Sequence, residues 1–574
     1  MFTEISTIDL TVVVVYLIAM ASIGIYQARK IRSSGDYFAG GRKFNKFLMM
    51  MHALGSGTHA DDPVGVTGAA YKHGMAGIWY TFVYLLATPF YWLIAPIFRR
   101  SRYLTTADFF RQRYSPGLAH LYSFMGIVTF TVLIATMLKG TATIASAVTG
   151  GKLDEQIAII GMTVVFVIYG FAGGLIATVV TESIQGLLIV VMSLLLVPFG
   201  LMAVGGFTGL HELINDPSVF SLRVQGTELS GEVTPIWVAT ASILMLIGIV
   251  AQPHIMEVCS TGKSEFEGRV GFTYGNMVKR LCAVGWAFTG VIMIAMAVQN
   301  PALAEQLEGH RELAFGLAMK ELLPVGWLGL MFAAIFAAQM SSLSAFMVAA
   351  SALMANNIYR HLFHPLATDK EILWVGRFSG LVIVVFGVLM ASYIPSVVQA
   401  LAVFWAISSL TGVLMWVGVL WRGANSVGGW ASFLSMLVVW VPLGPAGRAI
   451  GSLIGMAGGT VPEWLGMWAS QDHLQHLVLA YLPLGIIILV LVSLLTRPKP
   501  EKELDDFYTL IKTPVGQEGR LIEAGIPIVY AGDTTGHEWE QKHPRMVNGV
   551  GFLVAALVSL LMLLLASVLG KIGG

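Results

Sequence analysis

Charge is what this sequence lacks most. Only 12% of its 574 residues are Asp, Glu, Lys or Arg, about half the fraction usual in a soluble globular domain. That excludes an ordinary water-soluble fold. Lys and Arg number 34 against 33 Asp and Glu, so bulk charge names no partner, and no nucleic-acid partner is expected. There are two cysteines, Cys259 and Cys282. They form no CxxC, which excludes a disulfide framework or a zinc site. No GxxxxGK[ST] loop occurs, so transport driven by ATP hydrolysis within this chain is excluded. No HExxH occurs either, and the chain is not expected to be an enzyme. The opening "MFTEISTID" lacks a basic n-region, so the first apolar run is expected to stay as a helix rather than be cleaved. Short alternating segments of the kind that build a β-barrel are missing.

Apolar residues are what it has. They make up 56% of the chain, with a mean hydropathy of +0.75, and they fall in blocks of about 20 or more, enough to cross a ~30 Å hydrocarbon layer. The fold class expected is an all-α polytopic membrane protein with about fourteen transmembrane segments. Their approximate limits are 8–28, 47–74, 76–98, 118–148, 155–171, 178–205, 236–258, 276–299, 325–359, 372–393, 397–421, 427–445, 476–496 and 547–570. Basic residues cluster in alternate loops. Arg29, Lys30, Arg32, Arg42, Lys43 and Lys46 follow the first span; Arg99, Arg100, Arg102, Arg111 and Arg113 follow the third; "RPKPEKE" opens the loop at 497–546. The positive-inside rule makes these loops cytoplasmic and puts both termini outside. A multi-pass protein of the plasma (inner) membrane follows, in contact with lipid and with no obligate protein partner evident.

Two spans are interrupted. In "GSGTHADDPVG" (55–65), glycines weaken the helix interior. Asp62-Pro63 then reads as a new start, with Asp as N-cap and Pro at the first helical position. In "IGIVAQPHIMEV" (247–258), Gly248 and Pro253 break the run, and Gln252 and His254 stand beside the break. The breaks occupy equivalent places in two successive five-span blocks. That pairing points to an inverted-repeat transporter with its site at the midplane. Unwound carbonyls there can hold a cation, and half-helix N-termini an anion.

Ionisable residues at membrane depth are functional by default. Asp61 and Asp62, being adjacent, point to different faces, and Asp62 either only caps its half-helix or also borders the substrate cavity. His52 and His59 share a face only if the helix is unbroken. A histidine hydrogen-bonded in a polar cavity is the simpler expectation there than a metal pair. Glu182 reads equally as a carboxylate at a helix N-terminus, favoured by the macrodipole, or as a cation ligand or gate. Ser341 and Ser342 form a hydroxyl pair in an Ala- and Met-rich span. Small residues permit close helix packing, but two hydroxyls with unwound carbonyls also make an oxygen cage suited to a hard cation.

Several stretches resemble the sodium:solute symporter family, relatives of the sodium–galactose and sodium–proline transporters. They are "FAGGLIATVVTESIQG" (171–186), "AQPHI" (251–255), "SSLSAFMVAASALMANNIYR" (341–360), "TTADFFRQRY" (105–114) and "LWRGANSVGG" (420–429). The resemblance runs from the first span to about residue 425. It implies a LeuT-type inverted five-plus-five repeat with extra flanking helices. The corresponding division is a leading helix and loop at 1–45, a first repeat at 46–205, a second at 206–425 and additional helices at 426–574. It implies sodium-coupled symport of a small organic solute by alternating access. Sodium would be transported rather than held as a tight cofactor, at the carbonyls of Gly55, Thr58 and Ala338 and the hydroxyls of Ser341 and Ser342. Substrate contacts are assigned to Asp62, His59, Gln252, His254, Gln399 and Trp405, and gating or coupling to Asp61 and Glu182. The chain departs from the family pattern at Glu182, where Asp is usual, and at Ala338, which has no side-chain oxygen. Asp62 also stands where sugar-binding members carry an amide. That carboxylate disfavours an anionic substrate unless it is protonated or ion-paired, which tilts the expectation toward neutral polyhydroxy or zwitterionic solutes. Proton-coupled symport on the same fold, and a solute-sensing transceptor with little transport, are the alternatives.

Overall fold

The structure, a computed structural model, describes residues 6–29, 33–151, 154–223, 233–392, 397–444 and 474–572, with a few isolated positions between 447 and 462. Among these residues the regular structure is helical, apart from one isolated bridge between Phe44 and Gly262. The helices that matter below are α1 (Thr7–Ala28), α2 (Lys46–Gly57), α3 (Asp61–His73), α4 (Thr88–Ser101), α5 (Pro116–Thr149), α6 (Glu155–Ala203), α7 (Pro235–Ile249), α8 (Ile255–Ser260) and α9 (Glu265–Gln299). They continue with α10 (Trp327–Ala352), α11 (Asp369–Ala391), α12 (Val397–Leu420), α13 (Ser426–Leu443), α14 (Leu474–Leu495), α15 (Glu501–Lys512) and α16 (Pro544–Leu569).

Both expected breaks are present, between α2 and α3 and between α7 and α8. The freed backbone groups at the second break find partners inside the protein, as membrane depth requires. The Tyr122 hydroxyl donates to the Ala251 carbonyl at 2.7 Å, and the Trp416 indole to Leu246 at 2.9 Å.

The expected count of fourteen spans is not matched by fourteen long helices. Ten helices among the described residues are long and apolar enough to cross a membrane, and Pro235–Ile249 is a shorter apolar one. The runs at 47–74, 76–98 and 236–258 are each divided into shorter helices by their glycines and prolines. The runs at 155–171 and 178–205 join without a loop in α6, which turns at Gly174 (φ 50, ψ −167). At 49 residues α6 would be about 74 Å long if straight, more than twice the hydrocarbon thickness. Glycine is needed at the turn because φ is positive, and because the Tyr37 ring fills the space a Cβ would take.

Helix α9 is the hub, packing on α2, α3, α4 and α6, while α10 packs on α6, α1 and α11. Thus α2, α3, α9 and α10 surround the first break. One end of the bundle is closed by buried arginines that donate to backbone carbonyls. Arg99 bonds Gly262 and Lys263 at 3.0 and 3.1 Å, and also Asp533. Arg102 reaches Thr513, Pro514 and the Glu518 carboxylate at 2.9, 2.9 and 2.8 Å. Arg113 reaches Gly418, Trp421 and Ala424 at 2.7, 2.8 and 2.9 Å. Arg269 pairs with Glu540 at 2.7 Å. The 497–546 segment is therefore strapped across the ends of α4 and α9 rather than left as a solvated loop.

Candidate functional site

The sequence "GSGTHADDP" makes the first break through one carboxylate. The chain stays helical to Gly57 and resumes at Asp61, so Thr58–Ala60 is the unwound piece. Asp62 is not the N-cap of the second half-helix. Ala60 holds that position without a side-chain bond, and Asp62 lies inside the first turn. The Asp62 carboxylate instead turns back and accepts the backbone N–H of His59 at 2.8 Å. In an unbroken helix that N–H would bond the carbonyl of Gly55. The N–H of Asp62 bonds His59 at 3.3 Å rather than Thr58. The carbonyls of Gly55 and Thr58 are left for other partners.

Those partners come from α10. Ser342 Oγ donates to Gly55 O at 2.7 Å and faces Thr58 O at 3.2 Å. Ser341 Oγ lies 3.0 Å from both Gly55 O and Ala338 O. All five residues named for the cation thus meet in one place. Ser341 and Ser342 are fully buried, and Thr58 and Ala338 nearly so. The donor set is three carbonyls and two hydroxyls, neutral oxygens of the kind that hard monovalent or divalent cations prefer.

Glu182 does not begin a helix. It sits about two turns beyond the Gly174 turn of α6, past the first turn to which the macrodipole effect is confined, so the macrodipole account does not apply. The Gly-rich stretch that looked like a loop is the kink at Gly174. Glu182 pairs with His52 Nδ1 at 2.6 Å, both fully buried, directly behind Gly55. His52 and His59 therefore have different neighbours rather than forming a metal pair. A Cβ on Gly55 would come within 2.8 Å of Glu182 Cγ. Gly55→Ala is accordingly expected to cost about 1–3 kcal/mol by overpacking, read as a lowered unfolding temperature in detergent, with weaker sodium protection than in the parent.

On the other side of the break lies a cavity of about 80 Å³ between the two interruptions. A buried water needs roughly 10–15 Å³ on the same measure, so the space suits a compact solute. Its lining includes His59, Asp61 and Asp62 from the first break, Gln252 and His254 from the second, and Trp405 of α12. Gln399 belongs to α12, but its side chain lies outside the described residues. Phe346, one turn beyond the serine pair, lies between the two breaks, with ring centroids 5.6 Å from His59 and 5.1 Å from His254. Asp61 Oδ1 is 3.4 Å from His59 Nδ1.

Two cavity residues escaped the sequence reading, Lys279 and Arg280 of α9. Lys279 Nζ pairs with Asp62 at 2.8 Å and also donates to the carbonyl of Gly57. Asp62 is therefore neutralised, and the expectation that it turns anionic solutes away loses its basis. The available signal was "NMVKRLCAV" (276–284), a basic pair inside an apolar run rather than at its edge.

A family model described as the sodium:solute symporter family matches residues 37–437. The chain is 26% identical over 509 residues to a sodium/proline symporter of Haemophilus influenzae, covering 85% of this chain and 95% of that one. It is 25% identical over 580 residues to sodium/myo-inositol cotransporter 2 of Oryctolagus cuniculus, covering 89% and 80%. In three dimensions it resembles a substrate-bound, outward-open Na+-coupled sialic acid symporter, with a TM-score of 0.70 at 18% identity, over 87% of this chain and 100% of that one. That last likeness is one of fold.

Proposed function

The chain belongs to the sodium:solute symporter family, and on that premise we propose that it takes up a small organic solute together with sodium, at a site built across its two broken helices. The fold is the LeuT-type arrangement, and the protein is a multi-pass membrane protein. The observation that carries the site assignment is the convergence of Ser341 and Ser342 on the carbonyls of Gly55, Thr58 and Ala338. When sodium enters, the two O–H groups rotate away and their lone pairs turn inward, making a five-oxygen shell. The ion then ties α10 to the α2–α3 break.

Coupling runs through the break itself. The Gly55–Asp62 segment gives the Gly55 and Thr58 carbonyls to the cage on one side and the His59, Asp61 and Asp62 side chains to the cavity on the other. Sodium fixes the segment and so shapes the pocket. Release of both follows when α10 and the broken helices separate. The membrane potential adds ~2.3 kcal/mol per charge per 100 mV to the sodium gradient.

We assign the arginine-closed end to the cytoplasm, because the basic residues of alternate loops gather there. Both termini then lie outside the plasma membrane. Proteoliposome uptake under an inward sodium gradient, compared with an inward proton gradient at equal sodium, tests the coupling ion. Accumulation under sodium alone is expected, and accumulation under the proton gradient alone would establish proton coupling instead.

A further inference from the structure

We propose that Arg280 anchors a carboxylate of the transported solute, so that the substrate class is small organic acids or carboxylate-bearing zwitterions rather than neutral polyols. The proposal rests on the symport reading above. Arg280 is 2% exposed and lines the cavity between the two breaks. Its Nε and Nη1 are buried with no hydrogen-bond partner. The guanidinium lies 4.9 Å from the centroid of the Tyr84 ring, a cation–π contact that holds one face and leaves the N–H donors in the plane.

A buried guanidinium without an anion is costly. Neither acid at hand forms an ion pair with it: Asp62 is held by Lys279 at 2.8 Å, and Asp61, whose carboxylate accepts no hydrogen bond, lies 3.4 Å from the His59 ring. A carboxylate accepts charge-assisted bonds from arginine with matched planar geometry. A neutral polyol placed there would leave the cation uncompensated. The Lys279–Asp62 pair has a second effect, since it stops Asp62 from repelling the incoming anion.

The test uses the purified full-length chain and Arg280→Gln and Arg280→Lys variants. The probes are acetate, pyruvate, L-proline and myo-inositol, each with and without sodium, read by thermal unfolding and by proteoliposome uptake. At least one of the three carboxylates is expected to stabilise and enter the parent in a sodium-dependent way, while myo-inositol does neither. Arg280→Gln is expected to weaken carboxylate binding roughly 30-fold or more, with Arg280→Lys intermediate. Stabilisation by sodium alone should persist in both variants, which shows that they fold and that the cage is intact. Binding of myo-inositol with no response to any carboxylate overturns the proposal. So does a response to no probe at all, or carboxylate affinity within twofold of the parent in Arg280→Gln. Loss of the sodium response in the parent itself indicts the symport reading instead.

Discussion

The double variant Ser341→Ala/Ser342→Ala is expected to lose sodium-driven uptake at ordinary sodium concentrations. The two hydroxyls are the side-chain members of the cage, and each lies within 3.0 Å of the Gly55 carbonyl. Bonds from neutral groups to a charged partner contribute about 1.5–3 kcal/mol each. Removing both should therefore raise the half-saturating sodium concentration by at least about 100-fold. Each change removes one buried hydroxyl oxygen and leaves the Cβ as a methyl, so the fold should survive. The carbonyls of Gly55 and Thr58 would be left without those donors, which adds a modest loss of stability in the absence of salt. Measuring initial uptake against external sodium separates the outcomes. An unchanged half-saturation with lowered maximal rate would place the ion elsewhere, and a shifted half-saturation with near-normal maximal rate at molar sodium supports the cage.

Asp62→Asn is expected to damage stability first and transport second. The amide can still accept the His59 N–H, so the break itself should keep its shape. It cannot neutralise Lys279, whose ammonium is 2.8 Å away and whose side chain is buried in the cavity wall. Stranding one partner of a buried pair costs about 3–5 kcal/mol. The companion variant Asp62→Asn/Lys279→Gln removes both charges, and most of that stability should return. Asp62→Ala removes the acceptor as well as the charge. It should additionally let the His59 N–H drop back toward Gly55, closing the carbonyl to the ion and raising the sodium requirement. Unfolding temperatures of the three variants, each with and without sodium, distinguish these roles. A double neutral variant no more stable than Asp62→Asn alone would mean that Lys279 is not the group Asp62 compensates.

Much of this was legible because the signals are local. Gly55, Gly57 and Pro63 punctuate an apolar run, and Ser341-Ser342 stand out against alanine and methionine. Setting the two together as an oxygen cage follows from their chemistry, and the family resemblance names which carbonyls take part. The structure also joins "TTADF" and "MANNIY", which the sequence gives only as separate motifs, where Asn357 bonds both Thr105 and Asp108, at 2.6 and 2.8 Å. What could not be read is which far residue answers which charge. Asp62 looked like a cap because a local acceptor is the commonest use of Asp before Pro. Lys279, more than two hundred residues away, gave no periodic trace. Of the two readings of Glu182, the helix N-terminus fails because Gly-rich sequence is compatible with a loop or a kink, and only the positive φ at Gly174 separates them. The arginines near 99–113 mark a cytoplasmic loop in the sequence, and nothing there shows that several are buried. They serve orientation and packing together, since a guanidinium can satisfy several carbonyls at once.

That last arrangement sets an order of events during synthesis. Arg102 is translated 411 residues before Thr513 and 416 before Glu518, the groups that satisfy it. At about 5–20 residues per second the wait is roughly 20–80 s. Through that interval the symport helices can already be threaded into the bilayer, yet their basic end has no lid. A nascent chain is thus finished only when its final loop arrives, and a ribosome stopping short of residue 513 delivers a membrane-embedded product marked by unpaired guanidinium groups.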